Sequence, residues 1–194
     1  MPLRIYRWEA ADALAALRDD ILAREAEVLA LPMSADWDAR HDDVASSRYA
    51  HYNLFARAGP AYDALRAAVR AAISHLRAEL DLKPKPAYIQ CWSNILRAGQ
   101  GLPQHAHPYP LHGHLNVSTS GSTTRYGTSA PVEIANRPGD LTLFARPGLA
   151  HSVAPYDGAD ARISIAFDLL PVAFVEADPR WRKRYEARSF IPFE

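Results

Sequence analysis

The sequence lacks the features that define several large classes of protein. Its single cysteine, Cys91, cannot form an internal disulfide, and no segment approaches the roughly 18 apolar residues that a membrane span requires. Basic and acidic side chains balance at 22 each, so the net charge favours neither nucleic acid nor an anionic membrane as a partner. The N-terminal segment has no apolar stretch typical of a signal peptide. We therefore expect a cytoplasmic protein that binds neither nucleic acid nor a membrane.

Several familiar catalytic motifs are also missing. The sequence contains no glycine-rich phosphate loop, no G-x-S-x-G nucleophile turn, no H-E-x-x-H zinc motif and no C-x-x-C pair. Cys91 lies in an apolar, strand-like segment, where cysteine usually behaves as a small hydrophobic residue. Serine, histidine and aspartate are present, but no spacing singles out a catalytic triad.

The first part of the chain has the composition of helices. Alanine, leucine, glutamate and arginine dominate from Glu9 to Leu31, which predicts one helix. A second helix is predicted from Pro60 to about Leu80, because apolar residues recur there every three or four positions and prolines follow. We expect this second helix to cover a sheet.

A long polar connection joins the two predicted helices. Residues 32–59 contain the aromatic side chains of Trp37, Tyr49, Tyr52 and Phe55. Long connections in compact domains often act as lids or binding loops. We expect these four aromatics to close over a bound substrate.

Short apolar segments separated by glycine and proline follow the helical part. The candidate strands are residues 87–96, 105–118, 131–135, 140–145, 150–154 and 161–170. Strands of this length and spacing favour a sandwich or barrel over alternating β-α units. The 194 residues suit one domain, with three predicted parts: helical support and a lid at 1–85, a jelly-roll catalytic core at 86–172, and a tail at 173–194. The charged run at 180–184 in the tail is predicted to be solvated.

Histidines cluster in the β-rich part of the chain. Four of the eight histidines fall within ten residues, as the pairs His105/His107 and His112/His114, and His151 follows them. Neutral imidazole is the commonest protein ligand for iron, zinc, copper and nickel. Residues i and i+2 of a strand face the same side, so one H-x-H pair can hold a metal ion. A histidine from a distant strand can complete the ligand set.

A basic side chain occurs in the apolar, strand-like segment R-I-S-I-A-F that begins at Arg162. Arg162 and Ser164 share one face of such a strand. A guanidinium matches a carboxylate with two parallel hydrogen bonds, and an arginine inside an apolar strand is costly unless it is paired. Either a bound anionic ligand or a structural ion pair with Asp168 or Asp140 would satisfy Arg162.

Five segments, taken in order, resemble those of the bacterial Fe(II)/2-oxoglutarate-dependent oxygenases. They are W-S-N-I-L at 92–96, H-A-H-P at 105–108, G-D-L-T-L-F at 139–144, H-S-V at 151–153 and R-I-S-I-A-F at 162–167. The resemblance covers roughly residues 88–170. It implies a mainly β fold with flanking helices, in which an N-terminal helical region precedes a double-stranded β-helix (jelly-roll) core. It also implies an enzyme that uses Fe(II), 2-oxoglutarate and O2.

The resemblance also implies roles for individual residues. The implied metal ligands are His105, His107 and His151. The implied 2-oxoglutarate-binding residues are Arg162 and Ser164, at the far carboxylate, and Asn94 near the pocket. The candidate pocket residues are Trp92, His112, His114 and Asn116. No catalytic side chain is predicted beyond the metal centre.

Two features depart from the oxygenase pattern. Residues 112–117 replace a segment that in the family usually reads S-G-x-Y-Y, so the pocket lining differs and no substrate can be transferred. The carboxylate that usually accompanies two histidine ligands is also missing. A site of three histidines would leave the metal with its full double positive charge, which should make it more electrophilic.

A second family matches in part. Residues 99–107 resemble the opening of the first cupin motif, and residues 148–151 resemble the centre of the second. Cupins share the jelly-roll architecture, and a three-histidine cupin could be a metal dioxygenase or an isomerase that needs no 2-oxo acid. Arg162 and Ser164 separate the two hypotheses, since only the oxygenase hypothesis requires them.

The sequence predicts a class of reaction and leaves the substrate open. An oxygenase of this kind would hydroxylate or desaturate a small molecule or an amino-acid-type substrate and release succinate and CO2. The non-enzymatic alternative is a jelly-roll module that binds a small ligand or a metal, and such a module would be expected to have lost a ligand or Arg162. The first helix and the tail could pack across a homodimer.

Overall fold

The computed structural model describes residues 3–35, 44–119, 121–186 and 189–193. The strands of this part are β1 (Leu3–Arg7), β2 (Ala87–Leu96), β3 (Leu102–His105), β4 (Leu111–Ser118), β5 (Thr123–Tyr126), β6 (Val132–Ala135), β7 (Asp140–Phe144), β8 (His151–Val153), β9 (Arg162–Pro171) and β10 (Ile191–Phe193). The α-helices are α1 (Ala11–Ala23), α2 (Glu25–Leu29), α3 (Pro60–Glu79), α4 (Val172–Ala177) and α5 (Arg180–Arg184).

The strands form two antiparallel sheets. The larger sheet has six strands in the order β1-β7-β4-β9-β2-β10, and the smaller has four in the order β3-β8-β5-β6. The predicted mainly β fold with flanking helices is therefore confirmed. Both edge strands of the larger sheet come from parts of the chain where no strand was predicted. They are too short, at five and three residues, to produce a clear alternating pattern.

The segment predicted as one strand at 105–118 is two strands in different sheets. β3 ends at His105 and belongs to the smaller sheet, whereas β4 begins at Leu111 and belongs to the larger one. Pro108 and Pro110 lie between them, and proline cannot donate a hydrogen bond to a sheet. The chain therefore leaves one sheet and joins the other between the two histidine pairs.

The helices pack against the larger sheet. The predicted helix from Pro60 is confirmed as α3, whose residues Leu65, Val69, Ile73 and Leu76 have no exposed surface. They share one hydrophobic cluster with apolar residues of the large sheet, as expected for a helix that covers a sheet. The helix predicted from Glu9 to Leu31 is divided at Arg24 into α1 and α2. None of the helices described is long and apolar enough to cross a membrane.

The connection between the helices contributes to the core more than to a lid. The Tyr52 hydroxyl lies 3.1 Å from Oγ of Ser93, and the ring of Phe55 packs against that of Phe193 with 6.3 Å between centroids. The expectation that Tyr52 and Phe55 close over a substrate is therefore wrong, because the hydrophobic core holds both. Trp37 lies outside the described residues.

Gly113 allows three strands of the larger sheet to pack closely. A side chain at this position would point away from the side of β4 that bears His112 and His114. A Cβ atom at this position would collide with the backbone oxygen of Thr142 and the ring of Phe167. The histidines of the H-G-H segment are thus separated by a residue that has to be glycine.

Replacing Gly113 with alanine should destabilise the fold. Overpacking at such a contact typically costs about 1–3 kcal/mol, because the neighbouring strands must shift. We expect urea unfolding of the Gly113→Ala variant to show a lower free energy of unfolding. An unchanged value would mean that β4 has more room than the structure indicates.

Candidate metal centre

A cavity of about 310 Å3 is lined by residues of both sheets. Strand β9 lies between β2 and β4, so alternate residues of the three strands form rows across the large sheet. The rows are Asn94–Ser164–Asn116, Trp92–Ala166–His114 and Gln90–Asp168–His112. All of these residues except Gln90 and Asn116 line the cavity.

Three histidines meet at this cavity. Each offers one ring nitrogen, and the three nitrogens of His105, His107 and His151 all lie within 4.8 Å of one another. His105 and His151 are paired across β3 and β8, which explains why residues far apart in the sequence are neighbours. His107 comes from the segment between β3 and β4. The structure thus brings together the three residues expected as metal ligands.

His105 and His107 lie together for a different structural reason from the one expected. Strand alternation was expected to place His105 and His107 on one face, but only His105 belongs to a strand. The turn after β3 instead places the ring of His107 beside that of His105, with 5.3 Å between the ring centroids. The strand argument was wrong, although the two residues do lie together.

Backbone carbonyls orient two of the three rings. Nδ1 of His105 lies 2.8 Å from the oxygen of Pro103, and Nδ1 of His151 lies 3.3 Å from that of Leu149. A carbonyl oxygen only accepts hydrogen bonds, so Nδ1 carries the proton and Nε2 presents a lone pair. Metal-binding histidines are usually oriented in this way.

The surrounding protein favours the neutral form of the same two rings, although His105 keeps an exposed edge. Burial lowers the pKa of His105, and it lowers the pKa of His151 to about 2, with the neighbouring histidines adding to the effect. Neutral imidazole is the form that binds metals. Both side chains are therefore in their metal-binding form at neutral pH.

His107 differs because its Nδ1 faces a carboxylate. It lies 2.8 Å from Oδ1 and 3.1 Å from Oδ2 of Asp168, a buried residue of β9. Burial alone would lower the pKa of His107, but the charge and hydrogen bond of Asp168 outweigh it and raise the pKa. The sequence analysis considered Asp168 only as a partner for Arg162. Its spacing from His107 gave no signal, because the contact joins two separate parts of the chain.

Arg162 lies deep in the same cavity. Its side chain is only 1% exposed. Nε donates to Oγ of Ser122 at 3.1 Å, and Nη1 lies 3.5 Å from Oγ of Ser164. Asn94 completes the group, since its amide nitrogen lies 3.4 Å from the same Ser164 oxygen. Burial lowers the pKa of the guanidinium to about 10, which leaves it charged at neutral pH.

Neither carboxylate suggested as a structural partner pairs with Arg162. Asp168 pairs with His107, and Asp140 pairs with Arg7 at 2.9 Å. Within the described residues no other carboxylate forms an ion pair with Arg162. A buried guanidinium that has only hydroxyl partners is a favourable site for a bound anion.

His112 and His114 line the same cavity beside the three-histidine cluster. The His112 ring stacks on Phe144 at 4.5 Å and on His107 at 4.9 Å between centroids. Nε2 of His114 lies 3.3 Å from the hydroxyl of Tyr126. Burial lowers the pKa of His112 to about 4 and that of His114 to about 3. Both rings are therefore neutral parts of the wall.

Two other candidate pocket residues have different surroundings. Trp92 lines the cavity, and its ring stacks on that of His107 with 6.0 Å between centroids. Asn116 is buried beside Ser164 but does not line the cavity. Its amide nitrogen lies 3.4 Å from the side-chain oxygen of Asn136.

The tail provides part of the cavity wall. Arg184, Tyr185 and Tyr49 all line the cavity, and the Arg184 guanidinium donates to the Tyr49 hydroxyl at 2.6 Å. The prediction that the charged run is solvated is therefore wrong for Arg184, although Arg180 is exposed. Sequence patterning missed Arg184 because α5 is only one turn long and has no clear apolar face.

Similar folds occur among solved oxygenase structures. A prolyl-4-hydroxylase from Pseudomonas putida has 16% identity and a TM-score of 0.60, with 88% of each chain covered. HygX from Streptomyces hygroscopicus, solved with nickel and 2-oxoglutarate, has 10% identity and a TM-score of 0.59, covering 88% of this chain and 83% of that one. The chain folds as a double-stranded β-helix. The expected core architecture is thereby confirmed.

A third double-stranded β-helix is more similar still in backbone. It is a prolyl hydroxylase from Trichoplax adhaerens, solved with a peptide of hypoxia inducible factor, with 14% identity and a TM-score of 0.64 over 91% of this chain and 87% of that one. At such identities the likeness concerns the fold alone. No family model and no curated protein matches the sequence.

Proposed function

We propose that this double-stranded β-helix is an Fe(II)/2-oxoglutarate-dependent oxygenase that hydroxylates a small-molecule or amino-acid-type substrate. One observation carries the proposal. The cavity that holds the three-histidine cluster also contains Arg162, a buried cation without a carboxylate partner in the described part of the chain. A metal-binding group and an anion-binding group in one cavity suit a co-substrate that is both a chelator and an anion.

The residues of the cluster fit a divalent iron ion. His105, His107 and His151 would hold the ion through one imidazole nitrogen each. Three protein ligands would leave room for a co-substrate that chelates the ion. Iron held there would supply the coupling of O2 reduction to decarboxylation, which yields succinate, CO2 and a hydroxylated substrate.

Arg162 would orient the co-substrate from its far end. Its guanidinium can bind the C5 carboxylate of 2-oxoglutarate, and the Ser164 hydroxyl can donate a further hydrogen bond. The amide of Asn94 helps to hold Ser164 in position. These contacts would fix the distance between the carboxylate and the histidine cluster, so only an acid of suitable length would reach both.

Aromatic side chains would surround the substrate. Four aromatic residues line the cavity, and the first of them stacks on His107: Trp92, Tyr49, Tyr109 and Tyr185. Their rings exclude water and offer apolar contact area. A cavity of about 310 Å3 is at the small end of ligand sites, so a co-substrate and a large substrate would not both fit. A small substrate, or a single side chain, is favoured.

An anaerobic titration tests the proposal. Adding 2-oxoglutarate to the protein with Fe(II) should produce a visible charge-transfer band between metal and ligand, and Fe(II) alone should not. In air, succinate should form, and its yield should rise with the right member of a panel of small metabolites. Hydroxylated and desaturated products differ in mass, so mass spectrometry distinguishes those two outcomes.

Other outcomes would favour the remaining hypotheses. Iron binding without the band would contradict the use of 2-oxoglutarate and favour a three-histidine cupin-type dioxygenase or isomerase. A protein that does not bind iron would be better described as a module for small ligands. A cytoplasmic location and a homodimer stay predictions of the sequence.

A further inference from the structure

Asp168 is a buried carboxylate that lies beside the three-histidine cluster. It is only 3% exposed, and the described residues provide no lysine or arginine that pairs with it. Its ion pair is with Nδ1 of His107, at 2.8 Å. Because a buried charge is costly unless it is paired, this contact calls for a specific explanation.

The three histidines of the cluster differ in what holds their outer nitrogens. Nδ1 of His105 and Nδ1 of His151 face neutral backbone carbonyls. Only His107 faces a charged group. Carboxylate partners of this kind make an imidazole a stronger ligand and fix its orientation. The cluster is therefore asymmetric, with one histidine that is electronically different from the other two.

We propose that Asp168, acting through His107, supplies the negative charge that a carboxylate ligand provides in sites with two histidines and one carboxylate. This inference rests on the proposed function of the cluster as a metal site. A divalent ion with three neutral imidazoles keeps a charge of +2, and the Asp168 carboxylate reduces the local sum to +1. That is the sum for a divalent ion with one carboxylate ligand. Asp168 is thus a positioning residue that acts on the metal through His107.

The packing around His107 supports this role. Its ring is stacked on His112, with an interplanar angle of 22° and 4.9 Å between centroids, and on Trp92, with an angle of 24° and 6.0 Å. The two contacts restrict the plane of the ring, and Asp168 restricts its rotation within that plane. Because Nδ1 faces Asp168, Nε2 is the nitrogen left for a metal ion.

The Asp168→Asn variant tests the charge directly. Asparagine keeps the size of the side chain and an oxygen acceptor but removes the negative charge. The affinity for Ni(II), measured by calorimetry without 2-oxoglutarate, should fall about 10- to 100-fold, as is typical when such an outer partner is changed. With Fe(II) and 2-oxoglutarate the charge-transfer band should move to shorter wavelength, since a more positive metal donates electron density less readily.

Asp140→Asn is the matched control. Asp140 also pairs with a cationic side chain, but its partner is the surface residue Arg7, away from the cluster. This change should leave the Ni(II) affinity and the band unchanged. Thermal unfolding of the metal-free variants shows whether each remains folded.

A second variant, His107→Asp, distinguishes an effect of the Asp168 charge from a purely structural role of its side chain. In the His107→Asp variant the cluster has its own carboxylate, and Asp168 then faces a like charge instead of an imidazole. Adding Asp168→Asn to that variant should change the Ni(II) affinity much less than it does in the wild-type chain, because Asp168 can no longer act on the metal through an imidazole. A residue with only a structural role would lower the affinity equally in both backgrounds.

The outcomes separate this inference from the proposed function. If the Asp168→Asn variant binds Ni(II) as tightly as the wild-type chain and its charge-transfer band does not shift, the inference is overturned. The oxygenase proposal would remain intact. An equal loss of affinity in both backgrounds would also overturn the inference. If His107→Asp binds no metal, the Ni(II) affinity and the band of the Asp168→Asn single variant decide whether the inference holds. If the wild-type chain binds Ni(II) but shows no band with 2-oxoglutarate, the proposed function fails while the affinity comparison still tests Asp168.

Discussion

Arg162→Met should raise the 2-oxoglutarate concentration needed for half-maximal succinate formation by about 10²- to 10³-fold. Losing one partner of a buried, hydrogen-bonded charge pair typically costs about 2–5 kcal/mol, or roughly 30- to 5,000-fold in affinity, and the expected change lies within that range. The maximal rate should fall less, because the histidine cluster remains. Steady-state kinetics over a range of 2-oxoglutarate concentrations separates KM from kcat.

The same variant should be at least as stable as the wild-type chain when no ligand is bound. Arg162 is buried without a carboxylate partner in the described part of the chain, so its charge is a cost in the free protein. Methionine removes that cost and nearly preserves the volume. Arg97→Met, which breaks an ion pair between the half-exposed Arg97 and Glu25, is the control and should leave KM unchanged. Strong destabilisation with an unchanged KM would assign Arg162 a structural role.

His151→Ala should abolish metal binding and turnover. His151 is the member of the cluster that comes from β8, and the two remaining histidines come from one short segment. Two imidazoles hold a divalent ion far more weakly than three, so we expect no Fe(II) retained after gel filtration and no succinate formed. Metal analysis of the eluted protein and a succinate assay provide the two measurements.

His75→Ala is the control for that experiment. His75 lies on α3, is well exposed and pairs with Glu79 on the same helix. Its removal should leave metal content and succinate formation at the wild-type level. Normal iron content in His151→Ala would contradict the three-histidine site, and it would favour a ligand set in which another residue replaces His151.

Much of the fold follows from local patterns in the sequence. The spacing of Leu65, Val69, Ile73 and Leu76 predicted helix α3 because one face of a helix recurs every three to four residues. The long strands β2 and β9 were predicted almost to the residue, since both are apolar runs bounded by glycine or proline. Short edge strands escaped prediction because three to five residues cannot establish a period.

The site was only partly predictable for a related reason. Residue type and spacing brought attention to His105, His107 and His151, and alternation placed Arg162 and Ser164 on one face. Side chains that act through contacts between distant segments left no such pattern, and Asp168 and Arg184 are the clearest examples.

The sequence by itself determined which chemical groups are available to the site, and most of the helices and strands of this protein. It specified five candidate groups, three imidazoles and an arginine with a serine, because residue types and i, i+2 spacing are local properties. Only the tertiary structure decided that His107 leaves the strand and meets Asp168, that Arg162 has no carboxylate partner among the described residues, and that Tyr52 belongs to the core. These outcomes depend on which distant segments pack together, and packing is a property of the whole chain.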